Sequence, residues 1–374
     1  MKKKFLILAG TLLLFLFFFL VFYHIAFYCN SDIPLHAEGA ILALKNGDLF
    51  RGNFLLYRLL NLCSGFSYGV RETLTVCCFL LAVSKVFLFW IVFSFLKEQF
   101  GTVLAFAISF SLLFVSVVPF DLFLGNLHFY LGYFVPNVWH NSTIIFSMPF
   151  SVLIYFYSLQ IMKMAQWYQL MLLGLLVLIC VFIKPSFFFV YSCSYSLIIV
   201  YNFWPDIMRI IKLSFPIIIG LGGVLYQFVT IYDGSDGSSV EFTSHYDYKF
   251  WLVFVIYFLF SMILPFMFLI VNYNRIKKDN EFWLVFLMLF FSVFIWLVFK
   301  EAGPREEHGN FYWQVVPSMW FMYFYIIKTE LGFMKSGNTL IRSKKHILII
   351  GCYVLTFVIG LFYLSSYLYS GYYS

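Results

Sequence analysis

The stretch MKKKFLILAGTLLLFLFFFLVFYHIAFYCNSDIPLHAEGA, residues 1–40, begins with three lysines, runs apolar to Tyr28 and then turns polar at Asp32, His36 and Glu38. An apolar run of this length crosses a hydrocarbon core of roughly 30 Å, which takes about 20 helical residues. It is too long for the apolar region of a signal peptide and lacks a small-residue cleavage site, so it reads as a retained first span. Backbone amides in lipid must be paired inside their own segment, which makes the span a helix.

Working outward, the same pattern recurs along all 374 residues: 63% are hydrophobic, 11% are charged, and the mean hydropathy is +0.91. That balance excludes a soluble domain of this size. The fold class expected is all-α: a polytopic transmembrane helical bundle of about 11 spans, with 1–374 forming one transmembrane domain. The apolar runs place the crossings near 5–28, 74–96, 100–120, 143–162, 167–184, 186–204, 213–232, 249–272, 281–299, 312–328 and 346–369. The fifth and sixth meet at IKPSF, either as a tight hairpin or as a helix broken near the surface. Residues 29–73 form a long first outer loop whose pieces AEGAILALKNG and FRGNFLLYRLLNLCSG are amphipathic and suited to the interface plane.

The basic residues set the orientation. With the N-terminus in the cytoplasm, inner loops hold 15 of the 24 Lys and Arg residues and outer loops 7. The C-terminus then lies outside the cytoplasm. The net charge of +7 reflects this bias and does not call for a nucleic-acid partner. The seven cysteines show no metal-ligand spacing; Cys29 and Cys63 share the first outer loop, either as free thiols or as a disulfide.

The chemistry-bearing side chains gather at the outer ends of the spans, whereas the inner loops carry mainly Lys and Arg. In SDIPLHAEGA, Asp32 is either an ordinary helix N-cap before Pro34 or, with Glu38, a general base beside His36. In PNVWHNSTIIFSMPFS, Trp139 and His140 are either interface anchors or contacts to a sugar or phosphate: Trp139 as a stacking platform, Asn137 and His140 as donors. Asn126 and His128 lie in the same aromatic-rich connection, and Asn141 opens a glycosylation sequon close to the membrane. Lys184 in IKPSF either snorkels to the interface or holds a phosphate. In EAGPREEHGNFYW, Arg305, His308 and Asn310 are either a solvated loop or donors to a diphosphate, for which Arg offers a planar fork. Lys85, near the middle of the second span, needs a partner or a wet cavity. The loop YDGSDGSSVEFTSHYDYK is polar and glycine-rich, as a mobile loop would be.

These features together resemble the GT-C superfamily of integral-membrane glycosyltransferases, of the type found with bacterial surface polysaccharides. The resemblance rests on a first span followed by a long outer loop with an acidic residue just past the membrane, on loop helices parallel to the membrane, and on the runs PNVWHNSTIIFSMPF, IKPSF and REEHGNFYW. Many members carry D-x-D or D-E in the first loop, where this chain has Asp32 and Glu38. The resemblance implies a polyprenyl-phosphate-linked sugar donor, a glycan or lipid-linked acceptor, and surrounding membrane lipids, with the active site on the outer face of a bacterial inner membrane. It implies Asp32 and Glu38 as catalytic carboxylates and Lys184, Arg305 and His308 around the donor phosphate. His36, Asn126, His128, Asn137, Trp139, His140 and Asn310 would orient substrate. A divalent cation, Mg²⁺ or Mn²⁺, is the one cofactor it suggests. Two other readings compete: an O-antigen or capsule repeat-unit polymerase centred on GPREEHGN, and a flippase or transporter of lipid-linked oligosaccharides, which Lys85 favours.

Overall fold

The computed structural model describes residues 2–48, 53–125, 129–130, 132–231, 237, 239–243, 248–303, 309–335 and 344–373. The opening apolar run is helix α1 (Lys2–Tyr28), which buries Phe18, Phe22 and Ile25 on one side and leaves Leu12, Leu13, Leu16 and Leu20 exposed on another. The first loop contains two short helices, α2 (Ile33–Lys45) and α3 (Phe54–Cys63), at the two amphipathic pieces. Then come α4 (Val70–Phe100), α5 (Thr102–Ser111), a 3-10 turn (Phe120–Leu124), α6 (Ser142–Ile161), α7 (Trp167–Ile183), α8 (Ser186–Phe203) and α9 (Ile207–Ile231). The rest is β1 (Ser239–Phe242), α10 (Tyr248–Ser261), α11 (Ile263–Ile276), α12 (Asn280–Val298), β2 (Phe299–Ala302), α13 (Val315–Lys335) and α14 (Lys344–Ser370).

Among the described residues, seven helices are long and apolar enough to cross a membrane, or eight if the pair α10–α11, bent by 58°, counts as one span. The chain is an integral membrane protein built as a helical bundle. Exposed leucines and phenylalanines on the outer helices are what a hydrocarbon solvent requires. At the centre stands α13, where every residue from Val315 to Ile327 is buried. Being apolar all round, it has no face suited to water.

The crossing expected at 100–120 differs from a single helix. Helix α5 stops at Ser111, a turn covers Leu112–Phe114, and the chain then runs irregularly to Pro119 with Leu112–Val117 buried. Irregular backbone survives at this depth only if protein supplies its hydrogen bonds. Asn137 Nδ2 donates to Leu112 O (3.1 Å) and to Val115 O (3.0 Å), Trp320 Nε1 donates to Leu112 O (3.0 Å), and Ser116 N–H donates to Thr356 O (3.1 Å). Gly360 of α14 lets this segment pass, since a Cβ there would lie 1.7 Å from Phe114 O.

Three further points bear on the expectations. IKPSF is a hairpin: α7 ends at Ile183 and α8 starts at Ser186. Part of the loop expected to be mobile is strand β1, paired antiparallel with β2 from Ser239↔Ala302 to Phe242↔Phe299. Cys29 and Cys63 are free thiols, as are the other five cysteines.

Candidate functional site

Asp32 is the N-cap residue of α2 by position, yet its side chain makes no capping bond to α2. It caps α6 instead. Oδ1 accepts from Ser142 N–H at 2.9 Å and from Ser142 Oγ–H at 3.3 Å, so the carboxylate sits at the positive end of a helix 110 residues away in sequence. The backbone closes the same junction, Asp32 N–H donating to His140 O at 3.1 Å. Asn141 caps α6 from its own chain, its Oδ1 accepting from Ile144 N–H at 3.0 Å; the sequon asparagine is thereby buried. One helical turn beyond Asp32, His36 brings Nε2 to 3.5 Å from Asp32 Oδ2 and Nδ1 to 3.2 Å from the Tyr57 hydroxyl. Burial works against the charged form of Asp32, but the hydrogen bond and charge of His36 and the Ser142 amide outweigh it, leaving the carboxyl below its ordinary range. Both side chains remain partly open, Asp32 at 24% and His36 at 15% exposure.

His140 follows directly. Its ring stacks on Tyr373 (centroids 4.0 Å apart, 14° between planes) and meets Tyr130 (4.7 Å) and Trp313 (5.7 Å) edge-on. Among the described residues its Nδ1 has no hydrogen-bond partner. Burial in this aromatic box drives its pKa down to about 4, against the opposing pull of Asp32. Trp313 in turn lies under Lys184, whose Nζ is 5.2 Å from the ring centroid. Asp32, His36, His140, Trp313 and Lys184 thus form one continuous cluster drawn from four separate parts of the chain. Glu301, at the end of β2, accepts from Asn310 Nδ2 at 2.5 Å.

Several expected assignments change. Glu38 is exposed, and six residues at 100° each put it about 120° around α2 from Asp32, so the two carboxylates do not share a face. Trp139 is fully buried against Phe18 and Phe114 and offers no platform to a substrate, whereas Trp313 is partly exposed. Asn137 is buried and committed to the carbonyls of the broken third segment. The same side chain answers the question posed by Lys85, whose Nζ donates to Asn137 Oδ1 (3.4 Å) and lies 4.4 Å over the Trp139 ring. Asn126, His128, Arg305 and His308 lie outside the described residues.

A divalent cation does not fit these residues. Among the described residues no group of three or more His, Cys, Asp and Glu side chains is placed to hold a metal, and both oxygens of Asp32 already face protein donors. Ser142, Tyr57, Tyr130 and Tyr373 carry no signal in the sequence that ties them to Asp32 or His140. Trp313 and Glu301 stand in the run KEAGPREEHGNFYW, but nothing in their spacing assigns either a part.

No protein-family model matches this chain, and no curated protein is significantly similar to it in sequence.

Proposed function

We propose that this protein is an integral-membrane glycosyltransferase that moves a sugar from a polyprenyl-phosphate-linked donor to a glycan or lipid-linked acceptor. The chain would cross a bacterial inner membrane eleven times: the seven long apolar helices, the bent pair, the short α7, the broken third segment and the buried α13 each counted as a pass. The Asp32 rim would face away from the cytoplasm, as the lysine and arginine bias requires.

The observation that carries this reading is the cluster itself. A partly open carboxylate, held ionised by Ser142 and His36, shares one rim with the Lys184 ammonium through His140 and Trp313. Glycosyl transfer asks for those two charges on one side of a bilayer. A base supported by the negative group draws the proton from the acceptor hydroxyl as its oxygen attacks the anomeric carbon. A cation offsets the charge that grows on the departing phosphate. The half-exposed Trp313 face suits a sugar ring between them. Lys85, the residue that favoured a transporter, has protein partners in the core, Asn137 and Trp139.

Proteoliposomes holding the protein, a radiolabelled polyprenyl-phosphate hexose and a lipid-linked oligosaccharide acceptor should form a new glycosidic bond. Asp32→Asn keeps an acceptor for the Ser142 amide, so the variant should insert normally yet transfer about 100-fold more slowly. Head-group translocation without bond formation, or undiminished transfer by the variant, would refute the reading.

A further inference from the structure

The geometry around Asp32 leaves its carboxylate badly placed to take a proton itself. Oδ1 is occupied by the amide and hydroxyl of Ser142, and Oδ2 faces His36 Nε2. An ionised carboxylate can only accept, so the proton between the two groups belongs to Nε2. The basic lone pair of the imidazole is then on Nδ1. That nitrogen faces the hydroxyl of Tyr57, 3.2 Å away.

Tyr57 arrives from a different helix and is held there by two devices. Asn61 Nδ2 donates to Ala40 O at 2.9 Å and locks α3 onto α2. Gly39 clears the path, since a Cβ at that position would lie 2.7 Å from Tyr57 Oη. The result is a carboxylate, an imidazole and a phenol in series, all half-buried at the rim. A base oriented by one neighbour and coupled to a second hydroxyl is the arrangement used to activate weak nucleophiles.

We propose that Asp32, His36 and Tyr57 form a proton relay in which His36 Nδ1 is the base and Tyr57 Oη meets the acceptor hydroxyl, a refinement that rests on the glycosyl-transfer reading. The acceptor O–H passes its proton to Tyr57 Oη while Tyr57 passes its own to His36 Nδ1. The acceptor oxygen bonds to the anomeric carbon, and the bond from that carbon to the phosphate oxygen breaks, its electron pair leaving with the polyprenyl phosphate. The imidazolium that results is balanced by Asp32, which acts as a positioning residue, and its proton departs to water when the product leaves.

The test has two arms. In the transfer assay with the polyprenyl-phosphate hexose, His36→Gln keeps an N–H for Asp32 but cannot accept a proton. Its kcat should fall about 100-fold with KM and thermal stability unchanged, and Tyr57→Phe should lose about 10-fold in kcat on the same grounds. In the second arm, ¹⁵N NMR of histidine-labelled protein should show His36 as the Nε2–H tautomer, with an Nδ1 resonance that moves in Tyr57→Phe. Full transfer by His36→Gln alongside a dead Asp32→Asn overturns the relay and leaves the glycosyltransferase reading standing. An Nδ1–H tautomer also overturns the relay. The Nε2–H tautomer with no transfer by the wild type overturns the glycosyltransferase reading, and with it the assignment of this relay to that reaction.

Discussion

His140 is an imidazole kept out of water by three aromatic rings, and its titration should be visible in the stability of the whole protein. Its folded pKa of about 4 lies below the ordinary 6.5. The unfolded chain therefore binds a proton through this window that the folded chain refuses, and stability falls as pH drops from about 6.5 to about 4. The loss attributable to this group is on the order of 3 kcal/mol. Asp32 adds a second loss at lower pH, because its depressed carboxyl stabilises the fold only while ionised. Thermal unfolding in detergent should show a melting temperature that declines across the first window in the wild type and stays flat there in His140→Phe. An equal decline in the variant would assign the effect to another group. At this scale the sequence singled out polar residues that the structure brings together, but not their partners. Asp32, His140 and Lys184 stood out because ionisable groups are expensive beside long apolar runs. Nothing in spacing said that Asp32 would cap a helix 110 residues away, or that Trp139 would face inward while its neighbour His140 reached the rim.

Among the elements, the broken third segment shows most clearly where hydropathy stops being informative. Residues 100–120 are apolar throughout, and a hydropathy window reads them as one helix. The backbone leaves the helix at Leu112 because its freed carbonyls find Asn137 and Trp320, and its amide at Ser116 finds Thr356. Those partners come from three distant places, so no local pattern announces the break. Gly360 is the point of closest approach, and a methyl group there meets the Phe114 carbonyl rather than a movable side chain. Gly360→Ala should cost about 2–3 kcal/mol, at the upper end of overpacking effects, read as a lower melting temperature in detergent. Gly351→Ala, on the same helix with open space around it, should be neutral and serves as the control. The two loop helices and the hairpin at IKPSF were legible beforehand, since amphipathic patches and a proline after a lysine are local signals.

For the whole molecule, one junction ties the start of the chain to its far end. Asn30, just past α1, donates its N–H to Gly371 O at 2.7 Å and accepts from the Tyr367 hydroxyl at 2.5 Å. Helices α1 and α14 are both long enough to span, and their C-terminal ends meet. Under the proposed topology, in which both helices cross, the beginnings of both would lie at the opposite face, and residue 2 and residue 373 on different sides of the membrane. Tags placed at the two termini should be reached by impermeant reagents from opposite sides in intact cells; labelling of both from one side would contradict the junction. At the far end of α13 a second set of buried ions secures the bundle. Lys328 pairs with Glu281, and Glu330 accepts from Asn272 (2.5 Å) beside His346 (2.7 Å). Composition alone settled the solvent of this protein, because a chain with so much apolar surface and so little charge must fold as helices in lipid. The pattern of lysines and arginines likewise argued for an odd number of passes from local counts. The site was another matter. Its groups become neighbours only when α2, α6, α7 and the segment before α13 are brought together, and hydrogen bonds between residues a hundred or more positions apart leave no trace in local periodicity.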